Sequence, residues 1–256
     1  MLIITNWNGR TGNNILQIIR AVHYAILNNH IQIRFPKHYL LKEDTILIEG
    51  NSKNNDIIKD TFFNLKKHEL NDPEPYIMRE YYQRYLAPID AINNMYTGID
   101  NDTNELYIHI RSGDIFSKSP HSCYVQPPLY YYKNIMNKYN NINIVFEDNV
   151  NPCVNMILSE KNVINKSGSF IHDLITLSNA ENLVIGFGTF GLMIYFMNKN
   201  IKNLYIPKYF LDESNISGNW GENINVNIVE LLDYIPVGSW KNTPEQREIM
   251  LSYPNK

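Results

Sequence analysis

Three short stretches of the chain combine residue types that can hold an anion. The first is Gly9-Arg10-Thr11-Gly12-Asn13-Asn14. Glycines let a backbone turn tightly and approach a ligand, the N–H groups opening a following helix make an anion site, and an arginine there can pair phosphate oxygens in fixed geometry. The spacing is neither Gly-x-Gly-x-x-Gly nor the Gly-Lys-Ser/Thr ending of a P-loop, so the loop implies neither NAD nor ATP. A glycine turn with an asparagine helix cap explains the same residues without function. The second stretch is His109-Ile110-Arg111-Ser112-Gly113-Asp114. Alternation puts His109 and Arg111 on one face of an extended segment, and Gly113 relaxes the turn that follows. A guanidinium closing an apolar run needs an anionic partner, either a bound anion or, in the plainer reading, Asp114 or Asp148 in a salt bridge. The third runs from Asp173 to Gly186-Phe187-Gly188-Thr189-Phe190-Gly191. Small residues and a hydroxyl where a helix begins again suit phosphate, and a carboxylate such as Asp173 can accept paired N–H donors from a guanine edge. Alternatively, Thr189 and Asp173 only cap their own helices.

What must position these residues is an alternation of strand-length apolar runs with longer segments of helical period, the pattern of an α/β fold with parallel sheets. Strands are expected at 2–5, 31–35 and 46–49, with a helix over 13–27 whose Ile15, Ile18, Ile19, Val22 and Ile26 share a face. Residues 53–98 read as helical, broken by Pro73, Pro75 and Pro88, and without strand signals. A polar join near residue 100 separates two domains, 1–100 and 101–256. In the second, strands are expected at 106–110, 142–146, 183–186, 203–206 and 226–229, and helices at 127–138, 151–160, 170–178 and 189–197. A terminal helix follows over 243–253, capped by Thr243 and free to pack back on the first domain. In such sheets every strand-to-helix junction faces the same rim, where ligands bind, so motifs far apart in sequence converge.

In order and in type, the three stretches resemble the fucosyltransferase superfamily of GT-B glycosyltransferases, which includes α1,2-, α1,6- and protein O-fucosyltransferases. His109-Ile110-Arg111-Ser112-Gly113-Asp114 looks like that family's His-x-Arg-x-Gly-Asp, its most specific element. The first stretch looks like the Gly-Arg-x-Gly-Asn and Gly-x-Gly-Asn loops, and Gly188-Thr189-Phe190 is similar to the Ser-Thr-Phe-Ser segment. The resemblance implies two Rossmann-like domains facing a central cleft, and inverting, metal-independent transfer of fucose from GDP-fucose to a glycan or other hydroxyl acceptor. It implies that Arg111 holds the donor diphosphate, with His109 and Gly113 beside it. Arg10, Gly12 and Asn13 would approach the pyrophosphate and sugar, Asp173 would read the guanine, and Gly188, Thr189 and Phe190 would contact phosphate and base. Gly188 stands where the family often has Ser and Asn14 where it often has Gln, and the chain is short for the family. Asp114, His121 and Glu80 are candidate bases for the acceptor proton. Tyr81, Tyr82, Tyr124, Tyr130, Tyr131 and Trp240 are candidate sugar platforms. Another nucleotide sugar (GDP-mannose, GDP-rhamnose or a UDP-sugar) on the same fold, or a non-catalytic nucleotide- or glycan-binding module, are the competing readings.

Composition narrows the field. Among 256 residues, 23 basic and 26 acidic groups give a net charge of −3, which does not recommend nucleic acid as a partner. No cofactor and no metal site is expected: Cys123 and Cys153 lie in no ligand spacing and read as free thiols of a reducing compartment. Asp100-Asn101-Asp102 reads as a solvated loop. No run approaches the roughly 20 apolar residues that span a bilayer, and the opening residues are too short for a secretory segment, so a soluble cytoplasmic protein is expected. Abundant Asn and Ile, as at 140–144, read as a coding bias rather than a structural signal.

Overall fold

The computed structural model describes residues 1–50, 54–96, 104–214 and 216–254. The join near residue 100, with Asp100-Asn101-Asp102, lies outside the described residues. The chain divides into two compact units, one of 1–97 with 192–197 and 216–221, the other of 98–191, 198–215 and 222–256.

The first unit begins with β1 (Leu2–Ile4), α1 (Thr11–Leu27), β2 (Gln32–Arg34), β3 (Thr45–Leu47) and β4 (Ile58–Asp60), followed by α2 (Pro75–Tyr81). Its four strands lie in the order β3-β2-β1-β4. β1 pairs parallel with β2 and with β4, whereas β3 runs antiparallel to β2, so this sheet is mixed. β4 was not expected: Ile58-Lys59-Asp60 carries no apolar alternation and is held by its pairing with β1 alone. α1 seats Ile15, Ile18, Ile19 and Val22 out of water, each contributing about 1.5–3 kcal/mol, with the smaller Ala25 buried beside them. Ile26, expected on the same face, is 36% exposed.

The second unit contains β5 (Glu105–Ile110), α3 (Leu129–Met136), β6 (Asn141–Phe146), α4 (Pro152–Leu158), β7 (Val163–Asn165), α5 (Phe170–Ser178), β8 (Asn182–Val184), α6 (Thr189–Met197), β9 (Asn203–Pro207), α7 (Lys208–Ser214), β10 (Asn225–Val229) and α8 (Pro244–Ser252); the last two turns of α6 group with the first unit. All six strands are parallel, in the order β10-β9-β8-β5-β6-β7. Counted within the unit this is the 3-2-1-4-5-6 order of a doubly wound Rossmann-like sheet, and its order reverses between β5 and β8. Leu106, Ile108, Ile110, Ile142, Ile144 and Val184 form the sheet side of a core closed by Tyr131, Tyr132, Ile135, Val154, Ile157 and Trp240. β7 and α7 were not expected, because Val163-Ile164-Asn165 and the charged Lys208–Ser214 lack a clear period. α8 opens with a capping box between Thr243 and Gln246 and packs on α3 and α4 of its own unit. Neither Cys123 nor Cys153 takes part in a disulfide.

Candidate active site

β5 ends at Ile110, and the chain leaves the sheet beside β8, where an open α/β sheet offers its ligand crevice. Arg111 follows at once, its side chain 18% exposed, with Nη2 donating to Asp114 and Nη1 to Glu147 at 3.4 Å. The salt bridge that the sequence allowed is therefore present, with Glu147 in the place expected for Asp148. Asp148 instead holds the loop: one of its oxygens accepts from the buried Ser112 hydroxyl, from Val150 N–H at 3.0 Å and from Gly113 N–H at 3.4 Å. Burial alone would raise the Asp148 pKa, but these bonds and the charge of Arg111 outweigh it and leave it below the usual value. Asn151 completes the frame, donating from Nδ2 to the Arg111 carbonyl at 2.9 Å and from its backbone to Ser112 Oγ at 3.0 Å. Gly113 adopts φ +68°, a left-handed conformation that a side chain would strain, and opens a short turn over Gly113–Phe116. Trp240 Nε1 donates to the Ile115 carbonyl at 2.8 Å and Asn242 Nδ2 to that of Phe116 at 2.7 Å, tying the turn to the C-terminal segment.

Across the reversal point, the junction from β8 to α6 brings Phe190 against His109, ring centroids 4.7 Å apart. Burial, and then the neighbouring Arg111 charge, push the His109 pKa down to about 3, so its imidazole is neutral at pH 7. Gly188 has φ +132°, a conformation in which a side chain such as the serine of the motif it resembles would be strained. Gly191 lets α6 lie close on β8: a Cβ there would stand 2.9 Å from Ile185 Cβ. Asp173 sits in the first turn of α5, whose residue Phe170 packs on Phe190 at 5.8 Å. Its Oδ1 accepts from Gly168 N–H at 2.7 Å, a residue before the helix, while the cap itself is Ser169, whose Oγ accepts from His172 N–H at 3.3 Å. Burial raises the Asp173 pKa above the usual carboxylate value. His109, Arg111, Gly113, Asp114, Thr189 and Phe190 thus gather at one rim of one sheet, with Asp173 joined to them through Phe170.

The other expected anion loop belongs to the first unit. α1 starts at Thr11, so Gly12 and Asn13 lie in its first turn, and Arg10 occupies the N-cap without a side-chain cap bond. The asparagine cap is therefore not what ends the turn. Gly9, at φ +73°, lies so close over Asn13 that a Cβ would stand 2.1 Å from Nδ2. Gln17, fully buried, pins the loop: Oε1 accepts from Asn8 N–H at 2.8 Å, and Nε2 donates to the carbonyls of Asn6 at 3.1 Å and Thr61 at 2.6 Å. Gln17, Glu147, Asn151 and Asn242 were not expected at the site: Gln17, a polar residue inside the apolar face of α1, carries a local signal, whereas the other three lie in polar connecting segments that give none.

Among the expected sugar platforms, Tyr82, Tyr131 and Trp240 are buried core residues at 2%, 0% and 1% exposure and cannot meet a ligand. Tyr81 and Tyr124 are half-buried and Tyr130 is exposed, as are the candidate bases His121 and Glu80. Among the described residues no cluster of three His, Cys, Asp or Glu is placed to hold a metal ion, and no helix is long and apolar enough to cross a membrane.

A six-stranded parallel sheet with an arginine and a helix start at its reversal point places the chain among Rossmann-like α/β enzymes. Residues 27–223 match Glycosyl transferase family 11, and the chain belongs to that family. It is accordingly a glycosyltransferase of the fucosyltransferase superfamily. The match includes the second and third motifs and excludes the Gly9–Asn13 loop. No curated protein and no solved structure matches the chain.

Proposed function

We propose that the protein transfers fucose from GDP-fucose to a hydroxyl of a glycan or similar acceptor, with inversion and without a metal, on a GT-B arrangement of two Rossmann-like domains facing a cleft. The observation that carries this reading is Arg111, set at the reversal point of a parallel sheet and framed by Ser112, Asp148 and Asn151. Breaking a sugar–phosphate bond builds negative charge on the departing diphosphate, and a cation held in place beforehand stabilises that charge without reorganising. Arg111 supplies the cation, exchanging a carboxylate partner for phosphate oxygens. Neutral His109 offers a hydrogen bond beside it, and the N-terminus of α6 with Gly188 and Thr189 adds backbone N–H donors. Phe190 presents a ring to the base, and Asp173 reads the guanine edge by giving up its bond to Gly168. Arg10, Gly12 and Asn13 form the second anion-binding element. Asp114 takes the acceptor proton once Arg111 has turned to the diphosphate.

The bond from Gly168 to Asp173 favours one alternative, a nucleotide sugar whose base does not need that carboxylate. Isothermal calorimetry with GDP, UDP, ADP and CDP separates the two. A preference for GDP that Asp173→Asn removes is the expected result. Equal affinity for the four nucleotides would sink the guanine assignment.

A further inference from the structure

A concentration of rings lies on the first unit, apart from the residues assigned to the nucleotide. β1 and β2 run parallel, so the segments leaving them, 5–10 and 35–39, emerge at the same rim. Trp7 meets His38 edge to face with centroids 5.5 Å apart and packs on Phe35 at 6.1 Å. Tyr39 stacks on His38 at 4.9 Å and 26°. Phe35 and His38 are buried, yet Tyr39 is 62% exposed, an aromatic ring held flat with its outer face toward water. The orientation is fastened at its edges: the Tyr39 hydroxyl shares a hydrogen bond with Thr11 in the first turn of α1, and Trp7 Nε1 donates to the Lys37 carbonyl at 3.3 Å.

His38 is the inner ring of the stack, and its charge state is fixed. Its Nδ1 accepts from Leu40 N–H at 3.4 Å, which leaves the ring proton of the neutral imidazole on Nε2. Burial pushes the His38 pKa down to about 4, so the ring is neutral at pH 7. That buried Nε2–H meets no acceptor among the described residues. A rigid outward ring, stacked on a neutral imidazole and adjoining the Gly9–Asn13 loop, matches one ligand chemistry well. A pyranose has one face of C–H groups that packs on an aromatic ring, and a rim of hydroxyls that accept and donate hydrogen bonds.

We infer that Tyr39, supported by His38 and Trp7, is the platform on which a pyranose ring of the acceptor glycan stacks. The inference rests on the assignment of the neighbouring Gly9–Asn13 loop to the donor, since an acceptor must lie next to the sugar it receives. Saturation-transfer NMR on the full chain tests it with methyl β-D-galactopyranoside, methyl β-D-glucopyranoside and methyl α-D-mannopyranoside as separate probes. At least one should bind through the C–H protons of a single face. Tyr39→Ala should weaken that binding about tenfold or more, while Tyr39→Phe, which keeps the ring and loses the bond to Thr11, should stay within about threefold. Tryptophan fluorescence gives a second readout, because Trp220 and Trp240 are buried and Trp7 stands in the cluster. Equal weakening by the two variants would assign the effect to the hydroxyl bond and overturn the platform. Failure of all three sugars on a chain that binds GDP overturns the platform and leaves the donor reading intact. Sugar binding through Tyr39 on a chain that binds no nucleotide overturns its role as an acceptor site.

Discussion

The loop after β1 and the loop after β5 occupy the same topological place, each following the strand at which its sheet's order reverses, yet they are held by different chemistry. A neutral amide, Gln17, fastens the first by bonds to Asn8, Asn6 and Thr61. A carboxylate, Asp148, fastens the second through Ser112, Gly113 and Val150. Their arginines differ as well. Arg10 is exposed, whereas Arg111 is 18% exposed and oriented by Asp114 and Glu147. A cation partly shielded from water acts on nearby charge more strongly than one that water surrounds. Under the proposed function the second loop would supply charge stabilisation, and the first close approach of backbone.

The largest expected effect tests that contrast directly. Arg111→Ala should lower kcat/KM for transfer by about 10²–10³ with an unchanged circular dichroism spectrum, and Arg10→Ala by only about tenfold. Equal losses would mean that both loops stabilise the leaving group, and the contrast would dissolve.

Next in size are the two clamps. Gln17→Ala removes the bonds to Asn6, Asn8 and Thr61, Asp148→Ala strands the buried Ser112 hydroxyl, and each should cost about 1–3 kcal/mol in urea unfolding at pH 7. Their pH dependence should differ. The Asp148 pKa is lowered in the folded protein, so its stabilisation is present above the unfolded value of about 3.9 and is lost as pH falls through the folded one. The gap between wild type and Asp148→Ala should therefore close in acid, while the gap to Gln17→Ala persists. A gap that stays constant for both variants would show that Asp148 acts without its charge.

Glycine substitutions come third. Gly9→Ala and Gly113→Ala place a Cβ at positive φ, a cost of roughly 1–2 kcal/mol. Gly9→Ala should be the worse, since its Cβ would also collide with Asn13, whereas at Gly113 it meets the movable end of Glu147. Differential scanning calorimetry ranks the two, and the reverse order would contradict the close packing of the first loop.

The smallest effect concerns His109. With its pKa depressed to about 3, the neutral ring stabilises fully above the unfolded value of about 6.5, and that contribution declines as pH falls toward 3. NMR of the imidazole should accordingly show no titration between pH 5 and 8, and kcat/KM should have no limb from this residue there. A midpoint near 6.5 would place His109 in contact with water and away from Phe190.

Much of the fold was legible because it is written in neighbouring residues. The period of α5, the apolar run of α6 entered through Gly188 and the Thr243 cap depend on side chains within one or two helical turns, and the structure has them where the pattern put them. β4 escaped because its three residues have no period of their own and exist as a strand only through β1. The antiparallel course of β3 escaped because nothing in Thr45–Leu47 specifies a direction.

The candidate site divides along the same line. Residue types and order along the chain, Arg10 before Gly12 and His109 before Arg111, were readable as anion-binding chemistry without coordinates. Which carboxylate orients Arg111, that Asp173 turns back to Gly168, and that Trp240 braces a loop instead of meeting a sugar were decided by folding. Ser112 meets Asp148 across 36 positions, Gln17 meets Thr61 across 44, and Trp240 meets Ile115 across 125. Local sequence sets backbone preference and the faces that must be buried. Only the packed tertiary structure selects, among many equivalent polar residues, the one close enough to bond.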